Sequence, residues 1–329
     1  MKKVFFVLSG LVVLALIVTF LIPSVQKNQV FISNTMDNIV SSTMKPAQWI
    51  KWDSSVHKAW YKDSTACSFR EDTVHHVIVL NMPEKKITIT QVNYLLYQLE
   101  ETKGTQHSMF IYSIVPYVGD GQPTSFHNAR INYDQDSRLL YKILPFLKPY
   151  ALADKTIAGL KSYLDNPTRF YGLPIQFKNP SDTIFLTRRE TVTSGHDIFK
   201  KLPDLFHELD SFALAHHVKP TGSRNISFEF LPGDTTKIVA GIHINQIIDG
   251  DYLVKCQQLP GNQVLVTGSY EGPFRDRFTA YRAMEKYIYD HQLNKASADF
   301  EKYLSPLPVS DSSIIKMELI YPLRSSIAQ

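Results

Sequence analysis

The residues best placed to do chemistry in this chain are carboxylates set among aromatics near its C-terminus. Glu318 stands in the middle of the apolar run IIKMELIYPL, Ile314 to Leu323. A lone carboxylate in such a run is costly unless it is paired, solvated or used. In a low-dielectric cleft it would attract a cation, and aromatic walls would add cation–π attraction. Glu301 and Tyr303, in FEKYLSP, form a second acid–aromatic pair, for which a surface Glu–Lys pair on a strand is the competing reading. Tyr321, Tyr270, Phe274, Tyr281 and Trp52 are candidate walls, with Phe185 and Phe228 opposite them. The same aromatics at helical or strand spacing also serve as plain core. A catalytic reading needs Glu318 with Tyr270 or Tyr321, the carboxylate within ~3 Å of a water and its pKa raised toward neutral.

Other chemistries are poorly supplied. His75-His76 and His216-His217 are adjacent pairs, and neighbours on a strand or helix diverge, so neither pair makes a zinc site alone. Ser194-Gly195-His196-Asp197 holds the letters of a triad, but triad members converge from separate elements. There is no P-loop, dinucleotide fingerprint or G-x-S-x-G, so no cofactor or metal is expected. The net charge is +4 with basic and acidic residues interspersed, which leaves no nucleic-acid footprint. Cys67 and Cys256 have no metal spacing and read either as two thiols or as one disulfide.

The elements that must position these residues come as a repeat. From Asn262 to Leu323 the pattern is strand QVLVTGSY, turn EGPF, helix, strand, strand. The helix carries Phe274, Phe278, Tyr281, Met284 and Ile288 on one face, with Pro273 read at its first position. An earlier copy has strand TIFLTRRETV, then a helix with Ile198, Leu202, Leu205, Leu209 and Phe212 on one face. The strands NISFEFLP and KIVAGIHIN follow it. The helix ends echo each other, His216-His217-Val218 against His291-Gln292-Leu293. Two copies, residues 183–247 and 262–323, predict a pseudo-symmetric pair sharing one sheet with a cleft at the seam.

Before the repeats, Thr35 to Ile50 reads as a helix ending on Trp49 and Trp52. The stretches KAWYKDSTACSFRED, HHVIVLNM, KKITITQVNYLLYQL and SMFIYSIVPYV have antiparallel strand chemistry. Arg138 to Leu164 reads as helical, interrupted at Pro145 and Pro149. At the start, Lys2 and Lys3 precede an apolar run from Val4 to Ile22. At 1.5 Å per residue it comes close to the ~30 Å hydrocarbon core. A signal peptide is the rival reading, but IPSVQ offers no small-x-small site. An uncleaved signal anchor with its lysines cytoplasmic places the rest outside the inner membrane. Gln26 to Gln29 reads as a polar linker and the VFIS after it as a first strand.

The final segment resembles the GyrI-like small-molecule-binding domain, also found as the effector-binding part of bacterial transcription regulators. SYEGPF, AYRAMEKYIYDHQL, FEKYLSP and MELIYPL carry the resemblance, over roughly residues 168 to 325. It implies two strand-helix-strand-strand repeats and a pocket glutamate between them, placed here on Glu318. The first half resembles the helix-grip fold of the START/polyketide-cyclase (SRPBCC) superfamily, on PAQWIKW and GLKSYLDNP, although TACSFRED lacks the glycine-rich strand signature. The expected class is α+β: a transmembrane helix at 1–23, a helix-grip domain at 24–165 and a GyrI-like domain at 166–329. The expected function is membrane-tethered, extracytoplasmic binding of an apolar, neutral or cationic small molecule, as sensor, scavenger or adaptor. Two alternatives stay open: a hydrolase of strained electrophiles using Glu318 and Tyr270, and a protein-interaction platform with filled pockets. Protein partners are not indicated.

Overall fold

Pro46 divides what the sequence reads as one helix, and Asp53 starts a further helix beyond it. In the computed structural model, which describes residues 25–117, 128–136, 152–180, 183–193, 197–259 and 263–324, three short helices stand there. They are α1 (Met36–Met44), α2 (Pro46–Trp52) and α3 (Ser54–Lys62). Pro46 starts α2, where its missing N–H costs nothing. Asp53 caps α3 by accepting from the backbone of Ser55 at 2.9 Å and Val56 at 3.0 Å. The KAWYK stretch expected as strand is therefore helical, because the Asp53 cap starts a helix just before it.

The chain divides into two compact units, residues 1–166 and 167–329. In the first, β1 (Val25–Ile32), β2 (Ser68–Asp72), β3 (Val77–Met82), β4 (Lys85–Gln91), β5 (Leu96–Lys103), β6 (Gln106–Tyr117) and β7 (Asn128–Asp136) form one antiparallel sheet. Their order is β1-β7-β6-β5-β4-β3-β2. The polar stretch expected as a linker is thus inside β1, paired along its length with β7. Alternate residues Ile87 and Ile89, Tyr97 and Leu99, Tyr112 and Ile114 are buried. They pack the face covered by Trp49, Trp52 and α4 (Leu152–Leu164). Trp52 is core rather than ligand wall: it is buried against Trp49 at 4.2 Å and donates its indole N–H to the Ser42 carbonyl.

The second unit starts with α5 (Pro167–Tyr171) and β8 (Ile175–Lys178). It continues with β9 (Ile184–Val192), α6 (Asp197–Ala215), β10 (Pro220–Leu231), β11 (Thr235–Ile244) and β12 (Val254–Gln258). Then follow β13 (Val264–Pro273), α7 (Phe278–Asp290), β14 (Phe300–Tyr303) and β15 (Ile314–Leu323). The sheet order is β12-β9-β11-β10-β14-β15-β13-β8, every pair antiparallel. Each repeat places its first, third and second strands side by side, and the two second strands meet at the centre, Ile226 beside Glu301.

The helix ends match in backbone detail. His217 and Gln292 adopt positive φ, 55° and 47°. After α6 the N–H groups of His217 and Val218 donate to the Leu214 and Ala213 carbonyls; after α7 those of Gln292 and Leu293 donate to Tyr289 and Ile288. Both are Schellman caps, each closed by an apolar contact within its own core cluster. Both helices lie on one face. α6 packs Leu202, Leu205 and Leu209 on Ile238, Ala240 and Ile242; α7 packs Met284 and Ile288 on Val266, Leu319 and Tyr321. The helix start expected at Pro273 is displaced: Pro273 ends β13, a 3-10 turn spans Phe274–Arg277, and α7 begins at Phe278.

Among the described residues no helix is long and apolar enough to cross a membrane. The expected transmembrane helix, and with it the inner-membrane, extracytoplasmic placement, is corrected on that finding. The run from Val4 to Ile22 that prompted it lies outside the described residues, as do Pro145, Pro149 and Gly195. Cys67 and Cys256 are free thiols.

Candidate functional site

Strand register decides which candidates can meet. In a strand, successive side chains alternate faces, and directly paired residues share one. Ser269 pairs with Glu318, Tyr270 with Met317, and Val266 with Tyr321. Met317 and Val266 are fully buried in the helix-side clusters, so Tyr270 and Tyr321 also face the helices. Glu318 faces the other side. There its carboxylate meets Lys178 of β8 at 2.5 Å, with 15% of the side chain exposed. The acid and the tyrosines proposed to work with it are therefore not brought together.

Tyr321 is buried and donates its hydroxyl to Glu285 of α7 at 2.9 Å. Tyr270 donates to the carbonyl of Pro273 at 2.8 Å. It also borders a cavity of about 720 Å³ with Leu173, Thr279 and Ala283. Burial raises the pKa of both hydroxyls.

A second carboxylate does collect the other predicted residues. Glu301, on central strand β14, is fully buried on the helix side. One oxygen accepts from Arg277 Nε at 3.0 Å and from the Tyr281 hydroxyl at 2.9 Å; the other accepts from the Tyr303 hydroxyl at 2.5 Å. The Arg277 guanidinium lies 3.6 Å from the centre of the Phe274 ring, 4.5 Å from Phe278 and 5.2 Å from Phe228. It also donates to the Phe274 carbonyl. This is an acid in an aromatic cage, an arrangement the sequence reading placed at Glu318, and the cation inside belongs to the chain. Burial raises the Glu301 pKa against the opposing pull of Arg277 and its hydrogen bonds. Burial and the Glu301 charge push Tyr281 and Tyr303 upward.

Open space lies on the helix-free face. A cavity of about 570 Å³ is lined by Phe185 and Phe300, whose rings meet edge to face with centres 6.1 Å apart, and by Thr187, Ser227 and Val239. His243 supports Phe185 from beside it at 4.1 Å. Asn225, Gln257, Gln258 and Gln263 bring amides, Arg189 a guanidinium and Asp299 a carboxylate. Gln263 Oε1 is buried with no hydrogen-bond partner among the described residues. Asp299 forms no ion pair within 4 Å among them, and burial raises its pKa more than nearby Lys295 lowers it. Of the predicted residues only Phe185 lines this cavity. No cluster that could hold a metal occurs among the described residues.

Sequence reasoning missed Arg277, Asp299 and Gln263. Arg277 had a signal: it is a cation three residues after one phenylalanine and immediately before another, in PFRDRF. A helix read from Pro273 puts Arg277 on the same face as Phe274 and Tyr281, but only the fold brings Glu301 to it. Asp299 and Gln263 sit on connections, where no periodicity marks them.

No family model matches the chain, and no curated protein sequence does. Several solved structures align with part of the chain. The C-terminal domain of EcmrR aligns with 46% of this chain and 98% of its own, at 16% identity and a TM-score of 0.39. An uncharacterised conserved protein from Listeria innocua aligns with 46% and 92%, at 12% identity and a TM-score of 0.35. SAV2435 bound to tetraphenylphosphonium aligns with 46% and 94%, at 14% identity and a TM-score of 0.28. TM-scores under 0.5 at such identities carry no argument about activity, so the chain's own side chains must supply it. The helix-grip family likeness of the first half gains no support from these comparisons and is not carried further.

Proposed function

We propose that the second unit binds a small, partly flat organic molecule in the cavity on its helix-free face. The cavity's size falls in the range of ligand pockets, about 300–1,000 Å³. Two phenylalanines in edge contact offer an apolar wall, and the polar groups around the cavity include, among the described residues, Gln263 Oε1 without a hydrogen-bond partner and the Asp299 carboxylate without an ion-pair partner. Both favour positive charge or hydrogen-bond donors on the ligand.

The observation that carries the reading is the contrast among three carboxylates. Glu318 is neutralised by Lys178, and Glu301 by Arg277. Asp299 alone of the three lines a cavity and lacks an ion-pair partner among the described residues. A ligand bearing a cationic or N–H group would complete it. The acid proposed for ligand contact thus moves from Glu318 to Asp299.

Calorimetric titration tests this with tetraphenylphosphonium as the cationic probe and triphenylphosphine oxide as its neutral counterpart. Tetraphenylphosphonium should bind more tightly than the oxide, and Asp299→Asn should weaken it at least tenfold, about 1.4 kcal/mol. Glu318→Gln should leave its affinity within threefold. Absence of binding, or unchanged affinity in Asp299→Asn, would rule the reading out.

A further inference from the structure

The first unit holds a second site of different chemistry. Its core-facing strand rows change character toward one end of the sheet. Ile89 and Ile87 give way to Lys85 on β4. Tyr97 and Leu99 give way to Glu101 and then Lys103 on β5. Phe110 gives way to Ser108 and Gln106 on β6. α3 crosses above this end, and the space beneath it is a cavity of about 710 Å³.

The floor is already neutral. Lys85 Nζ contacts Glu101 Oε2 at 2.9 Å and the Ser55 hydroxyl at 2.5 Å, with the Lys85 and Glu101 side chains 13% and 10% exposed. The rim is not neutral. Lys58 and Lys62 of α3 and Lys103 of β5 all line the cavity, and none forms an ion pair among the described residues. Lys58 and Lys62 stand one helical turn apart on the same side, a repulsive arrangement unless an anion lies between them. Asp63, also on the rim, is occupied in capping the turn after α3: it accepts from the Thr65 hydroxyl at 2.6 Å and from two backbone N–H groups. Beyond the Lys85–Glu101 pair, the three lysines Lys58, Lys62 and Lys103 face two carboxylates, Asp63 and Glu84, which leaves the rim positive.

We propose that this cavity binds a phosphorylated, hydroxyl-bearing small molecule. A phosphomonoester carries about −1.5 to −2 at neutral pH and would lie among the three ammonium groups of that positive rim. Ammonium groups hold phosphate as point charges that adjust to it. Ser108 and Gln106 supply donors and acceptors for hydroxyls on the body of the ligand.

Calorimetric titration of the full chain at low ionic strength tests it with glucose 6-phosphate, inorganic phosphate and glucose. Glucose 6-phosphate should bind, glucose should not, and inorganic phosphate should bind more weakly. Raising salt from 20 to 150 mM should lower the affinity for glucose 6-phosphate. The double substitution Lys58→Gln/Lys62→Gln should reduce it at least tenfold while the free protein melts at the same or a higher temperature. Lys58→Arg/Lys62→Arg should retain it. No binding by either anion, or equal binding by the double glutamine variant, would overturn the site. Inorganic phosphate binding as tightly as glucose 6-phosphate would overturn the hydroxyl-bearing part of the assignment.

Discussion

Arg277 and Glu301 are 4% and 0% exposed at their side chains. Removing one partner of such a pair leaves a charge buried alone. Arg277→Met should destabilise the second unit by roughly 3–5 kcal/mol. Adding Glu301→Leu should recover most of that loss, because both desolvated charges are then gone. Urea denaturation of the single and double variants measures it; an Arg277→Met variant as stable as the parent would contradict the pair's assigned role. Asp299 gives a pH prediction. Its folded-state pKa is raised by burial, so the folded state holds its proton at pH values where the unfolded chain has released it. Stability therefore falls as pH rises from the ordinary carboxylate range through the raised value, and is flat above it. The stability of Asp299→Asn relative to the parent should rise over that same window and then level off. Melting curves at closely spaced pH values would reveal this, and a pH-independent difference would refute it.

At the level of elements, the two helix ends are the most telling feature. His217 and Gln292 hold left-handed backbone without being glycine, a conformation that costs an ordinary L-residue roughly 1–2 kcal/mol. His217→Gly and Gln292→Gly should each stabilise the protein by up to about 1 kcal/mol, part of the relief being lost to the freer unfolded chain. Chemical denaturation reads this directly. Gly268 shows the opposite constraint. A Cβ there would lie 2.5 Å from Leu173 Cδ2 and 2.6 Å from Met284 Sδ, because β13 passes directly under α7. Gly268→Ala should cost about 1–3 kcal/mol by overpacking. The echo between His216-His217-Val218 and His291-Gln292-Leu293 was legible in the sequence because a Schellman cap is local: an apolar residue falls two places after the helix cap whatever surrounds it. The helix starts were less legible. A proline marks both an extended residue and a first helical turn, and only the pairing of Pro273 with Ile314 shows that it belongs to β13.

For the whole molecule, both apolar clusters of the second unit are built from that unit's own residues. Residues 167–329 produced alone should therefore unfold cooperatively and keep the affinity for tetraphenylphosphonium predicted for the full chain. A fragment lacking cooperative unfolding by calorimetry would show that the first unit is needed for its stability.

The sequence alone determined the α+β class, the duplicated strand-helix-strand-strand order and the antiparallel character of the first half. Each of these rests on periodicity within one element or on short-range capping and turn chemistry. It named Glu301, Tyr281, Tyr303, Phe274 and Phe228 as separate candidates, but centred the acid among aromatics on Glu318. Only the tertiary structure decided that Arg277 closes the cage at Glu301, that Lys178 closes on Glu318, and that Asp299 is left beside open space. Charge partners come from strands and turns far apart in the chain, Lys178 from β8 against Glu318 on β15. A one-dimensional pattern shows that a carboxylate is buried, but only the sheet order shows which cation reaches it.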